Sequence, residues 1–292
     1  MMVYLLMRTS LFLTLFLMFA TAVTAQPPTP ASPVVTIESP PDLVSWNVWF
    51  DRESGPDRFP KILNWLDALG PRYILLQEVT PQFLSLYYRS SIAAHYTLIA
   101  GKQAKSNYGQ VILTKVRATR WQEFPLPSSL QRAALLAQID LPTGQRLVMI
   151  NVHLESGASV HTKRRAQIRE ILEQCIPAFL AKNKTKATDA NEVTLIFGGD
   201  FNLHKDDALD GTGLEAWVDA AQSVNRLDAT FNPEINALAD ESAGFFGGAS
   251  RLDRIYLRDR RPLAYEVLRP PQSPLSDHEP MGIWIFNRIV ER

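Results

Sequence analysis

The chain has one cysteine, Cys175, in 292 residues. An internal disulfide, a cysteine-rich zinc module and an iron–sulfur cluster are thereby excluded, and stability has to come from a hydrophobic core. Net charge is absent too, because thirty Lys+Arg balance thirty Asp+Glu. No general positive field exists to gather nucleic acid or anionic lipid, so such a partner must be held by a local site. Beyond Asp42 there is no proline-rich linker, repeat or low-complexity block, and no serine or cysteine stands in a convincing nucleophile motif. What is present, 46% hydrophobic, 10% aromatic and 21% charged residues, describes a folded chain and excludes disorder, collagen-like repeats and coiled coil.

The N-terminus reads differently from the rest. Arg8 precedes an apolar run, Leu11 to Ala20, and Thr21-Ala22-Val23-Thr24-Ala25 follows with small residues. A basic start, a short apolar stretch and a small-residue exit are the pattern of a secretory signal, and the run is too short to span a membrane comfortably. Residues 1–25 are expected to be a signal peptide that directs the chain to a secreted or periplasmic location and leaves no stable membrane span after removal. Residues 26–41 hold six prolines, a composition that favours extended backbone and reads as a leader. Residues 42–292 are then of a size for one α/β domain.

Apolar, β-branched runs bounded by turn signals predict strands at Leu43–Val48, Tyr73–Gln77, Gly109–Thr114, Leu135–Leu141, Gln145–Leu154, Val193–Phe197, Asp253–Leu257 and Met281–Phe286. Helical spacing predicts helices over Arg58–Leu69 and Lys163–Leu172. The turns Asn107-Tyr108-Gly109 and Pro142-Thr143-Gly144 join neighbouring strands, so many connections are hairpins. Mixed, mostly antiparallel sheets flanked by helices follow.

The chemistry-bearing residues cluster at strand ends. Asn47 follows Leu43-Val44-Ser45-Trp46, Glu78 follows Ile74-Leu75-Leu76-Gln77, and His153 follows Val148-Met149-Ile150-Asn151-Val152. Asp200 and Asn202 follow Leu195-Ile196-Phe197-Gly198-Gly199. Strand ends hold side chains rigidly at the rim of a core. The last third adds Arg251-Leu252-Asp253-Arg254 and Ser276-Asp277-His278, an aspartate–histidine combination suited to keeping an imidazole oriented and basic or cationic. Carboxylates and amides fit a hard divalent ion and the histidines fit phosphoryl oxygens, so metal-assisted attack by water is favoured over a covalent route.

Six ordered blocks, Ser45-Trp46-Asn47-Val48, Leu76-Gln77-Glu78-Val79, Asn151-Val152-His153-Leu154, Gly199-Asp200-Phe201-Asn202, Arg251-Leu252-Asp253-Arg254-Ile255 and Ser276-Asp277-His278, resemble the endonuclease/exonuclease/phosphatase superfamily. Within it, His153-Leu154-Glu155-Ser156 with Arg164 and Gln167, and Leu76-Gln77-Glu78-Val79-Thr80-Pro81, are similar to the 5′-tyrosyl-DNA phosphodiesterase branch. Trp49 stands where that branch has an acidic residue, and His204 where it has an arginine. The resemblance implies a four-layer α/β/β/α sandwich and a phosphodiesterase dependent on Mg2+ or Mn2+. It implies Glu78 as the metal ligand with Asn47 beside it and Asp277 as a further metal contact. Asp200 would activate water, Asn202 would hold that water or a phosphate oxygen, and His278, oriented by Asp253, would donate to the phosphoryl oxygen. His153 would bind phosphate, and Arg164 would contact the substrate, DNA or another phosphodiester.

Other residues read as structural. Cys175 sits among Ile171, Leu172 and Ile176 as packing; His95, His161 and His204 read as surface residues; Asp206, Asp207 and Asp210 read as an acidic surface loop. Arg132 could clamp phosphate. Asn183-Lys184-Thr185 is a glycosylation sequon relevant only in a eukaryotic secretory pathway. Two other functions compete with a nuclease-like phosphodiesterase. A sphingomyelinase would need an exposed aromatic hairpin, for which Phe245-Phe246 is the one hint; a binding module on an inactive hydrolase fold should have lost a ligand or base, and none is missing.

Overall fold

Continuous apolar strands such as Leu43-Val44-Ser45-Trp46 can bury both faces only if each sheet is covered on both sides. The computed structural model, which describes residues 39–181, 193–204, 207–246, 248–258 and 260–285, shows how. One six-stranded sheet has the order β11-β12-β1-β2-β4-β3 and the other the order β5-β6-β7-β8-β10-β9. The first contains β1 (Leu43–Asn47), β2 (Tyr73–Val79), β3 (Thr97–Ala100), β4 (Gly109–Thr114), β11 (Ala264–Val267) and β12 (Met281–Trp284). The second contains β5 (Arg120–Pro125), β6 (Ala133–Asp140), β7 (Arg146–His153), β8 (Val193–Asp200), β9 (Val218–Asp219) and β10 (Asp253–Leu257). The signal, residues 26–38 of the leader and the sequon lie outside the described residues.

Alternate residues of the strands go to different layers. Leu43, Leu75, Ile112, Leu135, Met149, Ile196 and Ile255 form a cluster joining the two sheets. Val44, Trp46, Ile74 and Leu76 face outward onto helix α1 (Gly55–Leu69) and helix α2 (Pro81–Tyr87) through Phe59, Ile62, Leu66 and Phe83. On the other side Val148, Ile150, Leu195 and Phe197 pack against Ile168, Ile171, Cys175 and Phe179. These belong to α4 (His161–Glu170), a π-helical turn (Ile171–Cys175) and α5 (Ile176–Ala181). The shorter helices are α3 (Ile92–His95), α6 (Ala220–Ser223) and α7 (Ala237–Phe246). This is the expected α/β/β/α sandwich. Among the described residues no helix is long and apolar enough to cross a membrane.

Two parallel pairs at the sheet centres set up the site. In β1 and β2, Asn47 lies opposite Gln77; in β7 and β8, His153 lies opposite Asp200. Antiparallel β10 begins at the same edge, with Asp253 opposite Asp200. The carboxyl ends of four parallel strands thus converge with the start of a fifth strand. Beneath them a polar lock crosses between the sheets. Gln77 Nε2 donates to Asn151 Oδ1 at 2.7 Å, and Asn151 Nδ2 donates to the carbonyls of Leu76 and Val111 at 2.9 and 2.8 Å.

All eight predicted strand regions are found, β4 and β10 with the expected ends and the other six with shifted ends. β3, β5, β9 and β11 were not anticipated: they are short or, like β5, half exposed along most of their length, so they lack the long apolar signature. β8 runs three residues past the expected Phe197, because Gly198 and Gly199 let it continue in close contact. Gly199 has φ +137°, and a Cβ there would stand 2.1 Å from the Val152 carbonyl oxygen. Only glycine fits, and the next residue is Asp200.

Candidate active site

The ends of β2, β7 and β8 deliver Glu78, His153 and Asp200 to a common cleft of about 440 Å³. Glu78 is turned into it by an irregularity in β2: the pairing with β4 shifts between Leu76 and Val79, and Glu78 has φ +60°. Its Oε2 accepts the Phe50 N–H at 2.8 Å, and Oε1 lies 3.8 Å from His153 Nε2. Asp200 is the hub. Its Oδ2 accepts from Asn47 Nδ2 at 2.9 Å and lies 3.3 Å from His153 Nε2 and 4.0 Å from His278 Nε2, while Oδ1 accepts the Asn202 N–H at 2.8 Å. Asn202, at φ +50°, donates its side-chain N–H to the Leu154 carbonyl, leaving its buried Oδ1 without a hydrogen bond.

His278 is held on every side. Asp253 Oδ2 lies 2.7 Å from Nδ1, Trp46 Nε1 donates to its carbonyl at 2.8 Å, and the Phe231 ring meets the imidazole edge-on at 5.6 Å. Asp277 accepts from Ser242 of α7 at 3.1 Å and from Ser276 at 3.3 Å. Ser276 Oγ also donates to the Asn47 carbonyl at 2.6 Å, tying this loop to the end of β1.

The two histidines are driven to opposite charge states. Burial works to lower the pKa of His278, but the carboxylates of Asp253, Asp277 and Asp200 overcome it and raise it well above the usual imidazole range. His153 is lowered by burial and then by the Arg132 and His278 charges. Arg132 Nη1 donates to His153 Nδ1 at 3.0 Å. Among the acids, burial and the Asp253 charge push Asp200 up to about 6. Burial and the Asp277 charge push Glu78 up to about 7. Asp277 is raised as well, chiefly by burial.

With this geometry in view, the sequence matches the endonuclease/exonuclease/phosphatase family over residues 44–278. The chain belongs to this family. Tyrosyl-DNA phosphodiesterase 2 of Danio rerio is 26% identical over 243 residues, covering 81% of this chain and 59% of the relative. The 5′-tyrosyl-DNA phosphodiesterase of Caenorhabditis briggsae is 25% identical over 220 residues, covering 73% and 58%. The chain therefore spans less than two thirds of these relatives' length. Among solved structures, D. rerio TDP2 complexed with single strand DNA product aligns with a TM-score of 0.65 at 22% identity, over 82% of this chain and 96% of that one. A beta toxin mutant of Staphylococcus aureus with bound magnesium ions aligns at 0.65 and 18% identity, over 84% and 99%. Sphingomyelinase C from Streptomyces griseocarneus aligns at 0.64 and 16% identity, over 84% and 98%. These likenesses show that the fold is that of the endonuclease/exonuclease/phosphatase family.

In this family member, Asn47, Glu78, His153, Asp200, Asn202, Asp253, Asp277 and His278 are brought together, and all are buried. Arg164 is not with them, and its expected contact with substrate is corrected. It is 0% exposed; its guanidinium donates to Asp207 Oδ2 at 2.7 and 3.1 Å and to the carbonyls of Glu155 and Gly157 at 3.2 and 2.6 Å. All three of its nitrogens donate inside the fold. For the same reason Asp207 is no surface acid; it is the buried arginine's partner and also accepts the His204 N–H. His204 is half buried, whereas His95 and His161 are exposed. Cys175 is buried, which pushes its thiol up to about 11. Phe245 and Phe246 end helix α7, so that segment is not a hairpin; their side chains lie outside the description.

Phe50 and Tyr108, both in loops, and Arg132, just before β6, also line the cleft. For Arg132 there was a signal, a lone arginine just before a strand; for the aromatics there was none. The donor set suits a hard divalent cation. Glu78 and Asp277 are oxygen-only carboxylates sharing the cleft; the Asp277 charge raises the cost of charging Glu78, and a cation there would remove that cost. Asp200, Asp253 and His278 also bring one ligand atom each within 4.8 Å of one another. His278, however, spends Nδ1 on Asp253 and is held cationic, which disfavours a metal at that point.

Proposed function

We propose that the protein is an exported phosphodiester hydrolase, dependent on Mg2+ or Mn2+, that attacks phosphorus with water and acts on nuclease or tyrosyl-DNA-type substrates. The observation that carries this reading is the arrangement around Asp200: one buried carboxylate between a neutral histidine and a cationic one, 3.3 and 4.0 Å away. Asp200, raised toward neutrality, is placed to take a proton from water. The free Oδ1 of Asn202, two residues away, accepts that water's second hydrogen and orients it. His278 donates from Nε2 to a phosphoryl oxygen as charge builds, its cationic form sustained by Asp253. His153 supplies a second donor from Nε2. Glu78, with Asn47 and Asp277, would hold the divalent ion, which supplies charge neutralisation at the phosphate.

A substrate panel tests the reading: a 5′-tyrosyl oligonucleotide, plain single- and double-stranded DNA, sphingomyelin and methyl p-nitrophenyl phosphate, each with magnesium and with chelator. Metal-dependent release from the DNA substrates is the expected result. Turnover of sphingomyelin alone would move the assignment to the lipid phosphodiesterases, and none at all would leave a binding module. Export rests on the apolar run Leu11 to Ala20 and the Ala25 exit. N-terminal sequencing of the exported protein is expected to begin at or near Gln26; an intact Met1 on a soluble product would refute it.

A further inference from the structure

One buried acid has no part in the chemistry proposed above. Glu155, two residues past His153 at the end of β7, is 2% exposed and lies outside the cleft. Its carboxylate nevertheless gathers four donors. Oε2 accepts from Ser128 Oγ at 2.6 Å and from Gln167 Nε2 at 3.3 Å; Oε1 accepts the Ser129 N–H at 3.0 Å and from Lys163 Nζ at 3.1 Å. Burial works to raise the Glu155 pKa, but the bonds from Ser128, Ser129 and Lys163 outweigh it and hold the carboxyl below its ordinary range. The ionised carboxylate is thus a fixed anchor for the loop 126–132, which joins β5 to β6.

From that anchor the bonds run through Ser128 to Arg132. A serine hydroxyl has one hydrogen and two lone pairs. Because the hydrogen goes to Glu155, both lone pairs remain for backbone donors, and Ser128 Oγ accepts the N–H of Leu130 at 2.9 Å and of Arg132 at 3.0 Å. Gln131, between them, has φ +59°, a left-handed conformation that a residue with a side chain keeps only where its surroundings fix it. The Arg132 carbonyl accepts the Leu126 N–H at 3.0 Å, and Gln167 Nε2 donates to the Pro127 carbonyl at 2.9 Å, tying the loop to α4. At the far end Arg132 Nη1 donates to His153 Nδ1 at 3.0 Å and Nη2 to Ser156 Oγ at 3.4 Å. His153, Glu155, Ser128 and Arg132 therefore form a closed circuit that starts and ends on the tail of β7.

We propose that Glu155 is a positioning residue for the hydrolysis: through Ser128 it sets the backbone of Arg132, and through Arg132 the hydrogen bonding of His153. The proposal deepens the phosphodiesterase reading and rests on it for the role of His153. Glu155 itself touches neither the phosphate nor the cation. Its effect is geometric, because a displacement of about 1 Å at a catalytic group costs up to about 100-fold in rate.

The test compares Ser128→Ala, Ser128→Thr and Glu155→Gln, each alone and in an Arg132→Met background, on methyl p-nitrophenyl phosphate with magnesium. Ser128→Ala and Glu155→Gln should each lower kcat about 10-fold or more, though no further than Arg132→Met does, with KM little changed. Ser128→Thr keeps the hydroxyl and should retain most of the rate. In the Arg132→Met background neither Ser128→Ala nor Glu155→Gln should lower kcat again, whereas any loss of Tm should be the same in both backgrounds. Losses of kcat that multiply with that of Arg132→Met would show Glu155 acting by another route and overturn the proposal. Nitrogen NMR of His153 in the metal-free protein gives a readout independent of turnover. Ser128→Ala and Glu155→Gln should move the Nδ1 resonance toward that of an unbonded ring nitrogen, as Arg132→Met does. An unmoved resonance in both variants sinks the positioning role; a moved one in a protein without phosphodiesterase activity sinks only the hydrolase reading.

Discussion

Arg132 fixes the tautomer of His153. Its Nη1 lies 3.0 Å from His153 Nδ1, and because a guanidinium can only donate, Nδ1 must accept and the ring proton of the neutral imidazole sits on Nε2. That proton faces Asp200 Oδ2 at 3.3 Å and the cleft. Burial and the Arg132 charge keep the ring neutral.

Arg132→Met is therefore expected to lower kcat by up to about 100-fold, the usual loss for one preorganised donor. Removing the positive charge also raises the His153 pKa, so the acid side of the pH–rate profile should move to higher pH. Arg132→Lys should restore part of the rate. An unchanged profile in the methionine variant would show that Arg132 acts on something other than His153.

Asp200 must be ionised to accept a proton, and its pKa lies at about 6. The rate should rise with pH through about 6, and Asp200→Asn should lose this limb along with about 100-fold or more of kcat. Burying a carboxylate whose pKa is raised disfavours the native state above the unfolded pKa, so the asparagine variant should melt no lower than wild type at pH 8. A variant that melts early yet turns over normally per folded molecule would make Asp200 a structural residue.

His278 has the opposite linkage. Its folded pKa is raised, so its pairing with Asp253 stabilises the protein fully below the unfolded value of about 6.5 and is lost as pH rises through the folded value. His278→Gln should lower Tm most near pH 6, with the difference shrinking at alkaline pH, and should cut kcat by about 100-fold. Parallel Tm curves across this range would contradict the charge state assigned here.

Glu78 carries a stability cost that a cation would remove. Its carboxyl is raised to about 7 by burial and Asp277, so above pH 7 the metal-free protein holds a buried, repelled charge. Glu78→Gln should raise Tm in chelator and should abolish the further rise that magnesium gives the wild type. Equal magnesium-induced shifts in both proteins would remove Glu78 from the metal.

Arg58 joins both sides of the cleft. It donates to the carbonyls of Val48 and Trp49 after β1 and to that of Leu275, just before Ser276-Asp277-His278. Arg58→Met leaves these buried carbonyls unpaired and should cost about 3 kcal/mol or more in denaturant unfolding. Lysine lacks the forked geometry and should recover little.

The central strands were legible because burial on both faces writes a continuous apolar run, and Asn47, Glu78, His153 and Asp200 were legible because each interrupts such a run at its end. β5 and β9 were not: one is half exposed along most of its length and the other has two residues. Arg164 misled because a basic residue on a polar helix looks the same whether it meets solvent or a buried acid. Its partner, Asp207, lies 43 residues further on. Phe50 and Tyr108 sit in loops with no periodicity, and nothing local says that the two rings meet. Residue types and strand-end positions were thus determined by the sequence itself, since they depend on neighbours along the chain. The charge states of His153 and His278 were decided only in the tertiary structure, because burial and the charges of Arg132, Asp200, Asp253 and Asp277 reach them across separate strands and loops.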